Sequence, residues 1–287
     1  MHTREKKGWI CLDIDGTITA DILTIPPEVL NYLKELHKEN WEIVFVTGRT
    51  FSLAYAPLKD FNLPYFLVPQ NGASIFKMPE KNLISKKYLP IETFFELEQF
   101  LKGTEHDFVL FGGYDQGENC YYRQAMLKRE TSDYFSNELT KLACNWKAVD
   151  SFKGLEEDAF PYGKIYGEKS YLKQLLPIFE KVPSIKVYLV KDSVHPTFHI
   201  LQIMRKDVDK GRAVLEIVGE NVMSKPIISA GNDYNDESML QISNISIAMP
   251  DSPKKLLDIA TLIASPVEEV GIINALKLAV MKVKEYD

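Results

Sequence analysis

The stretch Trp9-Ile10-Cys11-Leu12-Asp13-Ile14-Asp15-Gly16-Thr17 constrains the fold of this chain more than any other. An apolar run without alternation, stopped by a turn signal, predicts a strand buried on both faces, the kind found in parallel sheets covered by helices. If the extended path continues through Ile14, Asp13 and Asp15 start on the same side, just past the carboxyl end of that strand. Open α/β sheets bind their ligands there. Two carboxylates so close repel each other, and a divalent cation is the common offset, with oxygen ligands suiting magnesium. Gly16 permits a sharp turn and Thr17 supplies a hydroxyl. For the motif alone, a capped turn with solvated aspartates is the plainer alternative.

The same arrangement recurs downstream. Val29, Leu30, Leu33 and Leu36 fall at helical spacing over Glu28 to Lys38, with Pro26-Pro27 at the first turn and Asn40 to end it. The apolar run Trp41 to Val46 then closes on Thr47-Gly48-Arg49. Strand, helix and strand in so short a span predict a right-handed βαβ unit with parallel strands. A third pass predicts a helix around Phe51 to Lys59 and a strand Tyr65 to Val68 ending in Gln70-Asn71-Gly72, where Asn-Gly is equally a hairpin signal. From about Leu83 to His199 the rhythm changes. Successive strand-like runs (Phe108 to Phe111, Cys120 to Leu127, Lys164 to Gly167, Ile185 to Val190, Phe198 to Met204) predict an antiparallel α+β layer, with helices over Ile91 to Leu101, Ser132 to Leu142 and Lys169 to Lys181. The parallel rhythm then resumes. Lys210-Gly211-Arg212-Ala213 opens a helix, and Pro226 to Ala230 runs into Gly231-Asn232-Asp233-Tyr234-Asn235-Asp236. Ile245 to Met249 reads as a strand, and Pro253 to Ala260 and Glu268 to Lys284 read as helices. The expected fold class is α/β: residues 1–82 and 200–287 form a Rossmann-like, doubly wound parallel-sheet core, and 83–199 an inserted α+β domain.

A length of 287 residues suits that division. The net charge of −6 argues against a nucleic-acid backbone as principal partner. Cys11, Cys120 and Cys144 show no metal or disulfide spacing, which suits a reducing cytoplasm. The charged start, Met1 to Lys7, leaves no room for a signal peptide, and no apolar run approaches the roughly 20 residues of a membrane span. A cytoplasmic location without a membrane partner is therefore expected.

The polar clusters at the strand ends, in this order, resemble the haloacid dehalogenase superfamily. Asp13-x-Asp15-Gly16-Thr17, Thr47-Gly48-Arg49, Asn71-Gly72-Ala73, Lys210-Gly211-x-Ala213 and Gly231-x-x-x-Asn235-Asp236 are similar to its large-α/β-cap class (type IIB), which includes the Cof-like sugar phosphatases. The resemblance implies a phosphatase acting on a small phosphorylated metabolite such as a sugar phosphate, with Mg2+ as cofactor and the inserted domain as a cap that closes and selects substrate. Asp13 would be the nucleophile and take the phosphoryl group. Asp15 would be general acid and then base. Thr47 and Lys210 would hold phosphoryl oxygens, with Gly48, Arg49, Asn71 and Asn235 completing the substrate-binding set. Asp13, the backbone carbonyl of Asp15, and Asn232, Asp233 and Asp236 would supply the metal's ligands. The chain departs from the family pattern at Asn232, where aspartate is usual: either its neutral oxygen ligates or Asp233 takes the place. Two further readings stay open, a phosphomutase resembling the phosphomannomutases, and a catalytically weakened binding or regulatory protein.

Overall fold

The apolar run at the N-terminus becomes the strand Gly8–Leu12, buried at every position. In the computed structural model, which describes residues 6–137, 145–155, 159–192, 195, 197–219 and 225–284, the chain divides into two units. The first comprises Met1–Arg49, Leu53–Ser85 and Asp209–Asp287, and the second Thr50–Ser52 and Lys86–Val208.

The first unit is built on an eight-stranded sheet. Its spatial order is Leu262–Ile263, Ile245–Ala248, Ile227–Gly231, Gly8–Leu12, Trp41–Val46, Tyr65–Val68, Ser74–Met78 and Asn82–Lys86. Gly8–Leu12 pairs in parallel with Trp41–Val46 on one side and Ile227–Gly231 on the other, in the registers Leu12 to Phe45 and Leu12 to Ala230. The chain thus leaves its first strand in one direction and later returns on the opposite side, which makes the edge beyond Leu12 and Gly231 a topological switch point. Alternation within the strand feeds two layers. Trp9 and Cys11 pack with Ala213, Val214 and Val218 of the helix Lys210–Val218, whereas Ile10 and Leu12 are buried outside that cluster. Helix Pro27–Lys38 buries Val29, Leu33 and Leu36 and starts on its proline as expected. The expected start of the last helix at Glu268 shifts: Val270 takes a left-handed conformation (φ 55°), and the helix runs Ile272–Lys284.

The second unit carries a six-stranded sheet in the order Ile185–Lys191, Phe198–Arg205, Tyr162–Glu168, Phe108–Phe111, Asn119–Tyr122 and Asn145–Ala148. All neighbours are antiparallel except the last pair. Phe94 and Leu97 of helix Ile91–Leu97 and Leu172, Leu175 and Phe179 of helix Lys169–Phe179 bury one face with Phe108, Leu110, Ile165 and Leu201. Apart from the short passage Thr50–Ser52, the crossings between units fall after Ser85 and after Val208, where the sequence predicts them after 82 and 199. The reason is pairing: Asn82–Lys86 extends the first sheet, and Phe198–Arg205 lies inside the second. Cys144 and the expected helical residues 138–142 lie outside the described residues. No helix of the described residues is long and apolar enough to cross a membrane.

Candidate active site

The chain becomes polar where the apolar strands end, and parallel pairing delivers those ends to one edge of the first unit's sheet. The backbone N–H of Asp13 continues the ladder by donating to the Ala230 carbonyl (3.0 Å). The extended path then stops. The carbonyl of Ile14 accepts from the N–H groups of Thr17, Ile18 and Thr19, forming a tight turn in which Gly16 takes φ 71°. Asn232 lies against Gly16 so closely that a Cβ there would collide with its amide, so this position requires glycine twice over. The turn separates the two aspartates. Asp13 is buried, whereas the Asp15 side chain is 55% exposed.

Asp13 sits in a dry cluster. Its Oδ1 accepts from Lys210 Nζ (2.5 Å) and its Oδ2 from Thr17 Oγ1 (3.1 Å). The same Lys210 ammonium donates to Asp236 Oδ1 (2.6 Å). All three side chains are at most 6% exposed. Lys210 opens its helix, at the end where the helix dipole disfavours a cation, and the two carboxylates offset that cost. Asp209 seats it there as N-cap, accepting from the Arg212 N–H (2.8 Å). Asp209 was absent from the sequence-derived set, although an Asp directly before a helix start is a readable cap signal. Burial, then Asp236, push the Asp13 carboxyl above its ordinary range, with Lys210 acting against them. Burial acts to lower Lys210, but Asp13 and Asp236 outweigh it and hold the ammonium above its ordinary value.

Asp236 is fixed from its other side. Its Oδ2 accepts from the N–H groups of Asn232 (2.9 Å) and Asp233 (3.1 Å), and a Cβ at Gly231 would strike its side chain. Asp233 turns its carboxylate to the N–H of Tyr234 (2.7 Å), capping the 3-10 turn Tyr234–Asp236, and is exposed. Of the two loop alternatives, Asn232 lies beside Gly16 while Asp233 serves its own turn.

The Thr47-Gly48-Arg49 segment meets the same edge. Thr47 is fully buried, and its Oγ1 accepts from the Arg49 N–H (3.1 Å), leaving the hydroxyl proton to donate. The Arg49 guanidinium forms a two-pronged pair with Asp15, Nε to Oδ2 (2.8 Å) and Nη2 to Oδ1 (2.5 Å). Asn71, buried and left-handed (φ 56°), donates its N–H to the Thr47 carbonyl (2.8 Å) and accepts at Oδ1 from Asn235 Nδ2 (2.9 Å). Its side chain lies against Gly48, where an added Cβ would sit 3.3 Å from that Oδ1. The expected residues thus form a continuous series of contacts that closes on itself, because Asn235, bonded to Asn71, directly precedes Asp236, which Lys210 holds.

A divalent cation fits this donor set. Two buried carboxylates share one ammonium, so ionising both leaves a negative charge that Lys210 alone does not balance. Among the described residues no group of three or more acidic, His or Cys side chains is gathered for a metal. The set therefore amounts to Asp13 and Asp236, completed by neutral oxygens, and hard oxygen donors suit magnesium.

The family model described as "haloacid dehalogenase-like hydrolase" matches residues 10–276. The 5-amino-6-(5-phospho-D-ribitylamino)uracil phosphatase YitU of Bacillus subtilis is 23% identical over 285 residues, spanning 95% of this chain and 97% of its own. The structure of a haloacid dehalogenase-like hydrolase from B. subtilis superposes with a TM-score of 0.75 at 19% identity, covering 94% of this chain and 99% of the other. The subclass IIB sugar phosphatase BT4131 gives 0.71 at 20% identity, covering 94% and 98%. With the motifs in place along the whole matched span, the chain belongs to the haloacid dehalogenase-like hydrolases and is a phosphatase of their Cof-like branch.

Proposed function

We propose that this phosphatase hydrolyses the phosphate monoester of a small sugar or polyol, in a magnesium-dependent reaction that passes through a phosphoryl group on Asp13. The observation that carries the reading is the buried Lys210 ammonium held between Asp13 and Asp236. It keeps a nucleophilic carboxylate oriented in a site otherwise hostile to charge, and it presents positive charge to an arriving dianion. An Asp13 oxygen attacks phosphorus in line as the bond to the substrate's alcohol oxygen breaks, and the Asp15 carboxyl gives its proton to that oxygen. The alcohol leaves. The Asp15 carboxylate then takes a proton from water as the water oxygen attacks phosphorus, the bond to Asp13 breaks, and inorganic phosphate departs. The Thr47 hydroxyl has its proton free for a phosphoryl oxygen throughout. Magnesium, when bound, neutralises charge on the phosphoryl oxygens, and Asp13, Asp236, Asn232 and the Asp15 backbone carbonyl would hold it.

The substrate class draws support from two similar proteins, one named for a ribityl phosphate and one for sugar phosphates. Both substrates are phosphorylated polyhydroxy compounds. Phosphate release from a panel of sugar and polyol phosphates, with and without magnesium, tests the reading. Release that requires magnesium and disappears in Asp13→Asn supports it. An Asp13→Asn variant with activity near wild type removes Asp13 as nucleophile.

A further inference from the structure

We infer that Arg49 is the positioning residue of Asp15 and not a phosphate ligand, an inference that rests on the phosphatase reading above. An arginine beside a phosphate-binding Thr-Gly is naturally read as a phosphoryl clamp, because its fork matches two oxygens of an oxyanion. Here four of its five N–H donors are engaged, both prongs of the fork among them. Nε and Nη2 hold the two Asp15 oxygens at 2.8 and 2.5 Å. Nη1 donates to the carbonyls of Ile22 (2.6 Å) and Leu53 (3.3 Å). Its backbone is tied as well, the N–H to Thr47 Oγ1 (3.1 Å) and the carbonyl from the Gln70 N–H (2.8 Å).

The two partners differ in setting. The Arg49 side chain is 4% exposed and the Asp15 side chain 55%. A solvent-facing carboxylate on a glycine turn would sample several rotamers, and the buried arginine, itself held by framework carbonyls, fixes one of them. Arg49 also reaches the loop that follows Asp15. That loop is closed by Thr19 Oγ1 donating to the Thr24 carbonyl (2.6 Å) and by Asp21 Oδ1 accepting from the N–H groups of Leu23 (2.6 Å) and Thr24 (2.9 Å). The bond to the Ile22 carbonyl fastens this loop to the same guanidinium. One side chain therefore orients the proton-transfer group and the segment beside it, which is the role of a supporting residue in a preorganised site.

Proton transfer to the leaving oxygen matters when that oxygen belongs to an alkyl alcohol, and little when it leaves as a stable phenolate. Arg49→Gln and Arg49→Lys are assayed on 4-nitrophenyl phosphate and on the best alkyl phosphate of the panel, with inorganic phosphate as competitive inhibitor. Positioning predicts that kcat of Arg49→Gln on the alkyl ester falls about a hundredfold, that the fall on the nitrophenyl ester is roughly tenfold smaller, and that Arg49→Lys recovers part of the loss. The inhibition constant for inorganic phosphate stays within about threefold. Equal losses on both esters, or a phosphate inhibition constant raised about tenfold, overturn the inference. If Arg49→Gln does not fold, Arg49→Lys is judged by the same two comparisons. A wild-type protein that releases phosphate from neither ester defeats the phosphatase reading itself, a distinct result.

Discussion

Replacing Lys210 with methionine removes the cation that Asp13 and Asp236 share while nearly preserving side-chain length. The bonds lost measure 2.5 and 2.6 Å, and none of the three side chains is more than 6% exposed. Taking one partner out of a buried ion pair costs about 3–5 kcal/mol, most of it the penalty of leaving charge unpaired. Without magnesium at pH 8, Lys210→Met should therefore lose about 3–5 kcal/mol of stability. The deficit should shrink at pH 6. A carboxyl whose folded pKa is raised stabilises the fold while it is protonated and loses that contribution as pH rises through the folded value. Asp13 is raised already, by burial and then by Asp236, and losing Lys210 raises it further. Urea unfolding followed by tryptophan fluorescence in a Trp146→Phe background reads the first unit, because Trp9 and Trp41 lie in its sheet at 3% and 2% exposure. Adding Asp236→Asn should restore part of the loss, since only one carboxylate then remains unpaired. A loss below about 1 kcal/mol at pH 8, or a deficit that grows at pH 6, refutes the account of a buried shared cation.

Two other perturbations follow from the same physics. His106 stacks on Tyr171 with ring centroids 3.8 Å apart, and burial, reinforced by Lys128, pulls its pKa from 6.5 down to about 4. The unfolded chain therefore takes up a proton first as pH falls, so stability declines as pH drops from 6.5 towards 4 and then levels off. His106→Phe should flatten that decline in urea unfolding across the window, and an unchanged slope would clear His106 of it. Asn232→Asp adds a charged oxygen where the proposed cation binds, and calorimetry should show magnesium bound about tenfold more tightly, worth about 1.4 kcal/mol. Unchanged affinity would exclude the Asn232 side chain from the ligand set.

Much of the first unit is readable because its parallel strands are largely apolar runs. Trp41–Val46 and Tyr65–Val68 occupy the residues expected of them, and the polar residues that stop them are those that gather at the sheet edge. Beyond the parallel βαβ units, pairing partners are not readable. The run Phe198–Arg205 is equally apolar whether it returns to the parallel sheet or stays in the antiparallel one, and only its register with Tyr162–Glu168 and Ile185–Lys191 decides. Asn145–Ala148 carries no strand signal in the sequence, because three of its four residues are exposed and show no alternation. In the site, residue types pointed to the chemistry, but not to the partners. Arg49 illustrates the limit: its fork suits phosphate and carboxylate alike, and only the turn that begins at Ile14 brings Asp15 to it.

That turn also changes the electrostatic argument made from sequence. Asp13 and Asp15, read as extended, would share one side and need a common cation. The carbonyl of Ile14 instead collects three N–H groups, the chain turns at Gly16, and each aspartate meets a cation of its own. Asp13 goes inward to Lys210, delivered by a helix nearly two hundred residues later in the chain; Asp15 goes outward to Arg49, delivered by the neighbouring strand. The two proposed roles demand that difference. A nucleophile works best dry, fixed and away from bulk water, whereas a group that first gives a proton to an alcohol and then takes one from water must face the space where both arrive. The separation is made between them, where the chain leaves its extended path at Ile14, whose carbonyl collects the three N–H groups; Gly16, pressed against Asn232 of the proposed metal loop, then carries the turn through a positive φ with no room for a Cβ.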